Sequence, residues 1–164
     1  MLYFIRHLER YESPDFFTSL TEKGLRDADD LLINTRSIPM VFCSPFKRCI
    51  QTMLPYCKNR NIPIYVDYHL YEYLDDPRVQ YNKTLHDLPE YKEYCHELND
   101  YEMTPTEDEE TIRKRAREFM DKLKTHYSKI DVIVCSHLST INAMLERENL
   151  ETFIPYGGIV KVQI

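Results

Sequence analysis

The sequence predicts an α/β fold: a three-layer α/β/α sandwich around a mostly parallel central sheet. Three observations lead there. Short β-type apolar runs alternate with helical patterns along the chain, the arrangement that a parallel sheet covered by helices requires. One of those runs, DVIVCS at 131–136, is almost wholly apolar, as expected of a strand buried on both faces. And 164 residues suit a single domain, which at this size buries about 70% of its unfolded surface.

Taken in order, LYFI (2–5) reads as a core strand that surfaces at Arg6 and His7. LTEKGLRDADDLLINT then predicts a helix, with Thr21 as N-cap and Leu25, Ala28, Leu31 and Leu32 at helical spacing. VFCS (41–44) is a second strand, followed at once by the helical PFKRCIQTMLPYCKNR, whose Pro45 suits a first turn. IYVDY (64–68) is a third strand. Residues 69–108 break the rhythm: tyrosines, prolines and acids dominate, and Glu97 to Glu110 holds seven acidic residues and no basic one. This stretch reads as a solvated insertion, with an interaction surface or a lid over the site as the other readings. Glu109 to Tyr127 predicts a helix with Ile112, Ala116, Phe119, Met120 and Leu123 on one stripe. The apolar run at 131–136 is the fourth strand, Thr140 to Arg147 a shorter helix, and the alternating IVKVQI (159–164) an edge strand.

Composition narrows the function classes. Hydrophobic residues at 43% and charged ones at 29% describe an ordinary soluble protein. A net charge of −6 argues against nucleic-acid or anionic-membrane partners, which need a basic face, yet leaves room for a small basic pocket. The five cysteines (Cys43, Cys49, Cys57, Cys95, Cys135) form no CxxC pair and are odd in number, which favours buried free thiols and a reducing compartment. The N-terminal apolar run is only four residues long, too short for a leader, and no stretch approaches a membrane span, so a cytoplasmic location is expected.

The chemistry gathers at strand ends. The first strand delivers Arg6 and His7, the second runs through Ser44 and Pro45 to Lys47 and Arg48, and the fourth delivers Ser136 and His137 just before a helix. Glu72 follows the third strand. In open α/β sheets ligands bind beyond the carboxyl ends of the strands. Two imidazoles, planar guanidinium groups and helix starts at such an edge suit a phosphate group. A phosphate ester needs a nucleophile in line with phosphorus, cations around the equatorial oxygens and an acid for the leaving oxygen. A neutral imidazole can serve as the nucleophile, whereas metal-ion catalysis would call for a carboxylate-rich constellation at the strand ends.

RHLER, LTEKGLRDADDL, FCSPFKRCIQT, LYE and VCSHLSTI resemble, in order and spacing, the motifs of the histidine phosphatase superfamily, branch 1, which has the phosphoglycerate-mutase-like fold. The resemblance runs from Leu2 to about Leu145 and is weakest across residues 73–108. It implies a phosphohistidine on His7, a phosphate pocket of Arg6, Arg48 and His137, and Glu72 as proton donor, with no metal and no cofactor. The RHxER form looks most like the T-cell-signalling suppressor and ecdysteroid-phosphate phosphatases, which adds Arg10 to the phosphate site. Three departures stand out: Leu8 and Leu138 replace family glycines, and Ser13 sits where mutase-type relatives carry asparagine. YLDDPRVQYNK after Glu72 lacks the patterns of the mutases and of the sugar-bisphosphate phosphatases.

The expectation is therefore one histidine-phosphatase domain over residues 1–164, with an acidic, tyrosine-rich insertion at 73–108, hydrolysing phosphate monoesters. Glu72 must be protonated to act first as an acid, which implies an acidic to neutral optimum. The substrate is a phosphorylated small molecule or a phosphoprotein. Tyr11, Tyr68, Tyr71 and Tyr73 either wall a pocket for phosphotyrosine or another bulky ring, or are packing residues. A pseudo-phosphatase that binds without turnover, motivated by Leu8 and Leu138, is the alternative, and a phosphoglycerate-type mutase is the third reading.

Overall fold

The computed structural model describes residues 1–98, 101–104 and 106–164. Residues 99, 100 and 105 of the acidic segment lie outside the described residues. Six strands form one sheet: β1 (Leu2–Arg6), β2 (Met40–Cys43), β3 (Ile64–Val66), β4 (Cys95–Glu97), β5 (Val132–Ser136) and β6 (Ile159–Val162). Their order across the sheet is β4-β3-β2-β5-β1-β6, parallel throughout except for β6, which runs antiparallel to β1 at one edge.

Alternation along each strand divides the interior in two. Tyr3, Ile5, Val41, Cys43, Ile133 and Cys135 face one way, onto Cys49, Ile50 and Met53 of α2 (Lys47–Arg60), against which α1 (Glu22–Asp29) packs. Leu2, Phe4, Phe42, Val132 and Val134 face the other way, onto Ile112, Ala116 and Phe119 of α3 (Glu109–His126) and Ile141 of α4 (Leu138–Met144). Each fully buried aliphatic or aromatic side chain contributes about 1.5–3 kcal/mol. The expected three-layer sandwich is therefore present, with helices on both faces of the sheet. No helix of the described residues is long and apolar enough to cross a membrane.

Local signals explain most element bounds. Thr21 caps α1 by accepting from the Gly24 N–H, and Asp108 caps α3 by accepting from the Thr111 N–H. The apolar stripe expected on α1 does not hold: the helix ends at Asp29, Gly24 and Ala28 form its buried face, and Leu25 and Leu32 are exposed. Small residues prevail there because α1 lies directly on the chain at Glu9. Pro45 falls just outside α2, whose N-cap is Phe46.

The segment after β3 is not simply solvated. β4 adds a parallel edge strand beside β3, and Leu74, Val79, Leu85 and Leu88 are buried with the core. Glu107, near its end, is buried against Arg115. β4 carries only Cys-His-Glu, which has neither alternation nor β-branched residues to announce a strand.

Candidate active site

Three neighbouring strands, β1, β5 and β2, release their chains at the same edge. His7 follows β1 and donates its N–H to the Ser136 carbonyl at 3.2 Å; Ser44 follows β2 and donates to the Cys135 carbonyl at 3.0 Å. His137, following β5, therefore stands between them. The rings of His7 and His137 meet edge to face, with centroids 5.4 Å apart.

The His7 ring is buried, and its Nδ1 lies 2.8 Å from the Leu8 carbonyl oxygen. A carbonyl can only accept, so Nδ1 carries the proton and Nε2 presents a lone pair. Burial, together with the charges of Arg48 and His137, holds this imidazole well below the ordinary histidine value of 6.5. A neutral ring with a bare Nε2 is the form that can attack an electrophile.

His137 is in the opposite state. Burial works against its charge, but the Cys49 sulfur and the Glu72 carboxylate outweigh it, and its pKa is raised. Burial pushes the Cys49 thiol well above its usual range, so the sulfur is protonated and the carboxylate is the partner that matters. Glu72 Oε2 stands 3.3 Å from His137 Nδ1. His137 Nε2 lies 2.8 Å from Ser44 Oγ, to which an imidazolium donates.

Glu72 bridges the cations. Its Oε2 also accepts from Arg48 Nη2 at 3.2 Å, and its Oε1 accepts from the Tyr73 N–H at 2.9 Å. Burial would raise this carboxyl, but His137, Arg48 and the Tyr73 N–H together hold it well below the ordinary 4.5. Two adjacent cations thus offset burial and favour the carboxylate, so the proton that Glu72 needs for the expected acid step has to be gained. Arg48 is fully buried, and its guanidinium also donates to the Pro14 and Asp15 carbonyls, which aim it across the site.

Arg6 Nη1 donates to the Ile154 carbonyl at 2.7 Å, and the guanidinium stacks over the Tyr156 ring with its central carbon 4.3 Å from the centroid. The Tyr156 ring in turn lies 5.7 Å from that of His7. Arg10 Nη1 is occupied by the Tyr11 and Glu12 carbonyls, but its charge acts on both Arg6 and Arg48. Six buried side-chain atoms among the described residues have no hydrogen-bond partner in the protein, and four belong to these groups: Nε of Arg6, Arg10 and Arg48, and Nδ1 of His137. The His137 Nδ1 already faces the Glu72 carboxylate, but the buried guanidinium nitrogens without partners are donors of the kind that suits an anion. Among the described residues, no group of three or more His, Cys, Asp or Glu side chains is arranged to hold a metal ion.

The remaining motif residues hold the frame. Gln51 Oε1 accepts from the Leu20 N–H at 2.8 Å, and Thr52 Oγ1 accepts from the Leu8 N–H at 3.0 Å. The two leucines that replace glycines have packing roles. Leu8 is buried with Leu20 and Ala28 and abuts Gly157, whose φ is +71° and where a Cβ would come within 2.6 Å of Leu8 Cδ2. Leu138 packs on the core beside α3.

Residues 2–151 match the family profile of the histidine phosphatase superfamily, branch 1. The chain belongs to that superfamily. Solved structures share its fold at low identity. The α-ribazole phosphatase of Shigella flexneri superposes with a TM-score of 0.68 at 19% identity, covering 95% of this chain and 86% of that one. An ecdysone phosphate phosphatase from Bombix mori, solved with tungstate, gives 0.62 at 17%, covering 99% and 85%. A phosphoserine phosphatase from Entamoeba histolytica, solved with 3-phosphoglyceric acid, gives 0.57 at 17%, covering 96% and 87%. No curated protein sequence matches the chain.

The geometry thus brings together Arg6, His7, Arg48, Glu72 and His137, with Arg10 acting on them through its charge. The tyrosines divide differently from the pocket-wall reading. Tyr68 and Tyr71 are core residues whose hydroxyls meet the Leu85 N–H and Glu107, Tyr11 is exposed, and Tyr73 reaches Glu72 through its backbone. The ring beside His7 is Tyr156, which lies outside every motif, so no local signal marks it. Ser44, read from the sequence only as the end of the second strand, is fully buried and meets His137.

Proposed function

We propose that this chain is a phosphatase that hydrolyses phosphate monoesters through a phosphohistidine on His7, of the same type as the ecdysteroid-phosphate and T-cell-signalling suppressor enzymes. One observation carries the reading: the His7 ring has Nδ1 committed to the Leu8 carbonyl and Nε2 bare, beside the buried Arg48 and His137, whose charges and the burial hold its pKa low and favour the neutral form. Nε2 attacks phosphorus while the bond to the ester oxygen breaks. The guanidinium groups of Arg6, Arg48 and Arg10 and the imidazolium of His137 take the phosphoryl oxygens, supplying the charge neutralisation that a metal would otherwise bring. The reaction uses no metal and no cofactor.

Glu72 then has to gain a proton. Substrate oxygens that engage Arg48 and His137 remove the two cations that keep Glu72 ionised, and they add negative charge beside it; both effects raise its pKa. A substrate bound as the monoanion supplies the proton. Glu72 passes it to the leaving oxygen, and as a carboxylate it then draws a proton from the water that hydrolyses the phosphohistidine.

The substrate in this reading is a phosphorylated small molecule or a phosphoprotein carrying an aromatic or similarly bulky group. Tyr156 supports it: the residue is 42% exposed, and its ring flanks His7 and is stacked on Arg6. The case for a binder without turnover rested on Leu8 and Leu138, and both side chains are taken up by apolar packing. We also take the protein to act as one domain over residues 1–164, in the cytoplasm and without nucleic-acid or membrane partners, which five free, buried cysteines and a charge of −6 support.

The test is to mix the enzyme with a radiolabelled aryl phosphate, quench in alkali and map the label. Label on His7, with hydrolysis abolished in His7→Ala, is the expected result. Turnover with label elsewhere, or with none, overturns the mechanism.

A further inference from the structure

The chain that carries Glu72 is gripped more firmly than an ordinary loop. Four consecutive carbonyls, those of His69, Leu70, Tyr71 and Glu72, each accept from a side chain of another element. The donors are Arg115 Nη1 at 2.7 Å, Ser136 Oγ at 2.7 Å, Thr140 Oγ1 at 2.8 Å and Arg115 Nη2 at 3.3 Å. Arg115 thus spans the segment from both ends, and its guanidinium lies over the Tyr71 ring at 3.8 Å. Its counter-charge is Glu107, which accepts from Arg115 Nε at 2.7 Å and Nη2 at 2.9 Å. Glu107 also accepts from the Tyr71 hydroxyl at 2.9 Å.

Both charged side chains are fully buried. Stability is a weak reason for such a pair, because apolar residues of similar volume often do as well. What an apolar pair cannot do is hold two carbonyls and a carboxylate at fixed angles, which the planar guanidinium fork does. The other two grips come from Ser136 and Thr140, which flank His137. The short stretch of chain that presents the imidazolium therefore also holds the backbone of its carboxylate partner.

We propose that Arg115, oriented by Glu107, is a positioning residue for Glu72: with Ser136 and Thr140 it holds the carboxyl where the leaving oxygen needs a proton. The inference rests on the phosphatase reading above. It has a consequence that a merely structural role would not produce. An alkoxide leaves only with a proton, whereas 2,4-dinitrophenolate leaves without one, so a misplaced Glu72 harms the first kind of ester selectively.

The experiment compares kcat/KM for 2,4-dinitrophenyl phosphate and for a simple alkyl phosphate in wild type, Arg115→Lys, Thr140→Val and Glu72→Gln. The ratio of the two should rise by about tenfold or more in Arg115→Lys and severalfold in Thr140→Val, with Glu72→Gln giving the largest rise. In the Glu72→Gln background, Arg115→Lys should move the ratio by less than about twofold, since coupled residues are not additive. Thr140→Val removes one grip without disturbing buried charge, so it decides the matter if Arg115→Lys does not fold. A ratio within about twofold of wild type in the folded variants, with Glu72→Gln still shifted, overturns the positioning role. A wild type that hydrolyses neither ester, or a Glu72→Gln enzyme with an unshifted ratio, instead overturns the phosphatase reading beneath it.

Discussion

Replacing Gly24 by alanine sets two effects against each other. On helix propensity alone the change should stabilise α1 by about 1 kcal/mol, because glycine is a poor helix residue. Packing reverses the sign. A Cβ on Gly24 would stand 2.3 Å from the Glu9 carbonyl oxygen and 3.1 Å from Leu20 Cβ. Close C···O contacts need about 3.3 Å, so the helix must retreat by about 1 Å from a backbone that cannot swing aside. That backbone is tied to the helix start: the Thr21 N–H donates to the Glu9 carbonyl at 3.0 Å, and Thr21 Oγ1 donates to the Glu9 carboxylate at 2.8 Å. Overpacking costs about 1–3 kcal/mol, and each strained hydrogen bond adds about 1 kcal/mol. After the propensity gain, Gly24→Ala should destabilise the protein by about 2 kcal/mol, or lower Tm by about 4–8 °C. Glu9 lies between His7 and Arg10, so aryl phosphate hydrolysis should fall as well. The assay is urea unfolding followed by far-ultraviolet circular dichroism, with Leu25→Ala on the exposed face as the control, expected within about 0.5 kcal/mol of wild type. A Gly24→Ala protein as stable as wild type or more so would refute the reasoning.

Three further outcomes follow from the site. The raised pKa of His137 means that its contribution to stability is complete below the unfolded value of 6.5 and is lost as pH rises through its higher folded value, so the stability gap between wild type and His137→Gln should narrow on the alkaline side; a gap that widens there contradicts the ion pair with Glu72. Burial raises the thiols of Cys43, Cys57 and Cys95 to about 12, so labelling by a thiol reagent should track unfolding in urea, and rapid labelling of the native protein would contradict the burial. Tyr156→Ala should raise KM for aryl phosphates by about 2–12-fold, the worth of one aromatic contact, while leaving KM for a small alkyl phosphate much less affected; equal effects on both would make Tyr156 a support for Arg6 rather than a wall for the substrate.

Much of this protein was written locally. The strands at 2–6, 40–43, 64–66 and 132–136 announce themselves as short apolar runs, and Thr21 marks the start of α1 by its own hydrogen bond. The groups of the proposed site stood out for the same reason: a charge at the end of a buried strand invites a functional reading, and His7, Arg48 and His137 all stand near such ends. Arg115 also left a trace, a charge in register with the apolar stripe of Ile112 and Phe119, but its partner Glu107 was hidden in an acidic run that reads as solvated.

What the chain order alone determined, then, is which residues leave which strands. That β5 inserts between β1 and β2, so that His137 meets His7 at 5.4 Å, was decided only by tertiary pairing, because long-range strand register has no local signature. The charge state of Glu72 belongs to the same class: burial by itself would push this carboxyl towards its protonated form, and its 3.2 Å and 3.3 Å distances to Arg48 and His137 keep it a carboxylate. So does Tyr156, brought beside His7 by the chain that leads into β6. Electrostatic energy falls with separation in space and takes no account of separation in sequence, so the elements could be read from the residues while their protonation had to wait for the distances.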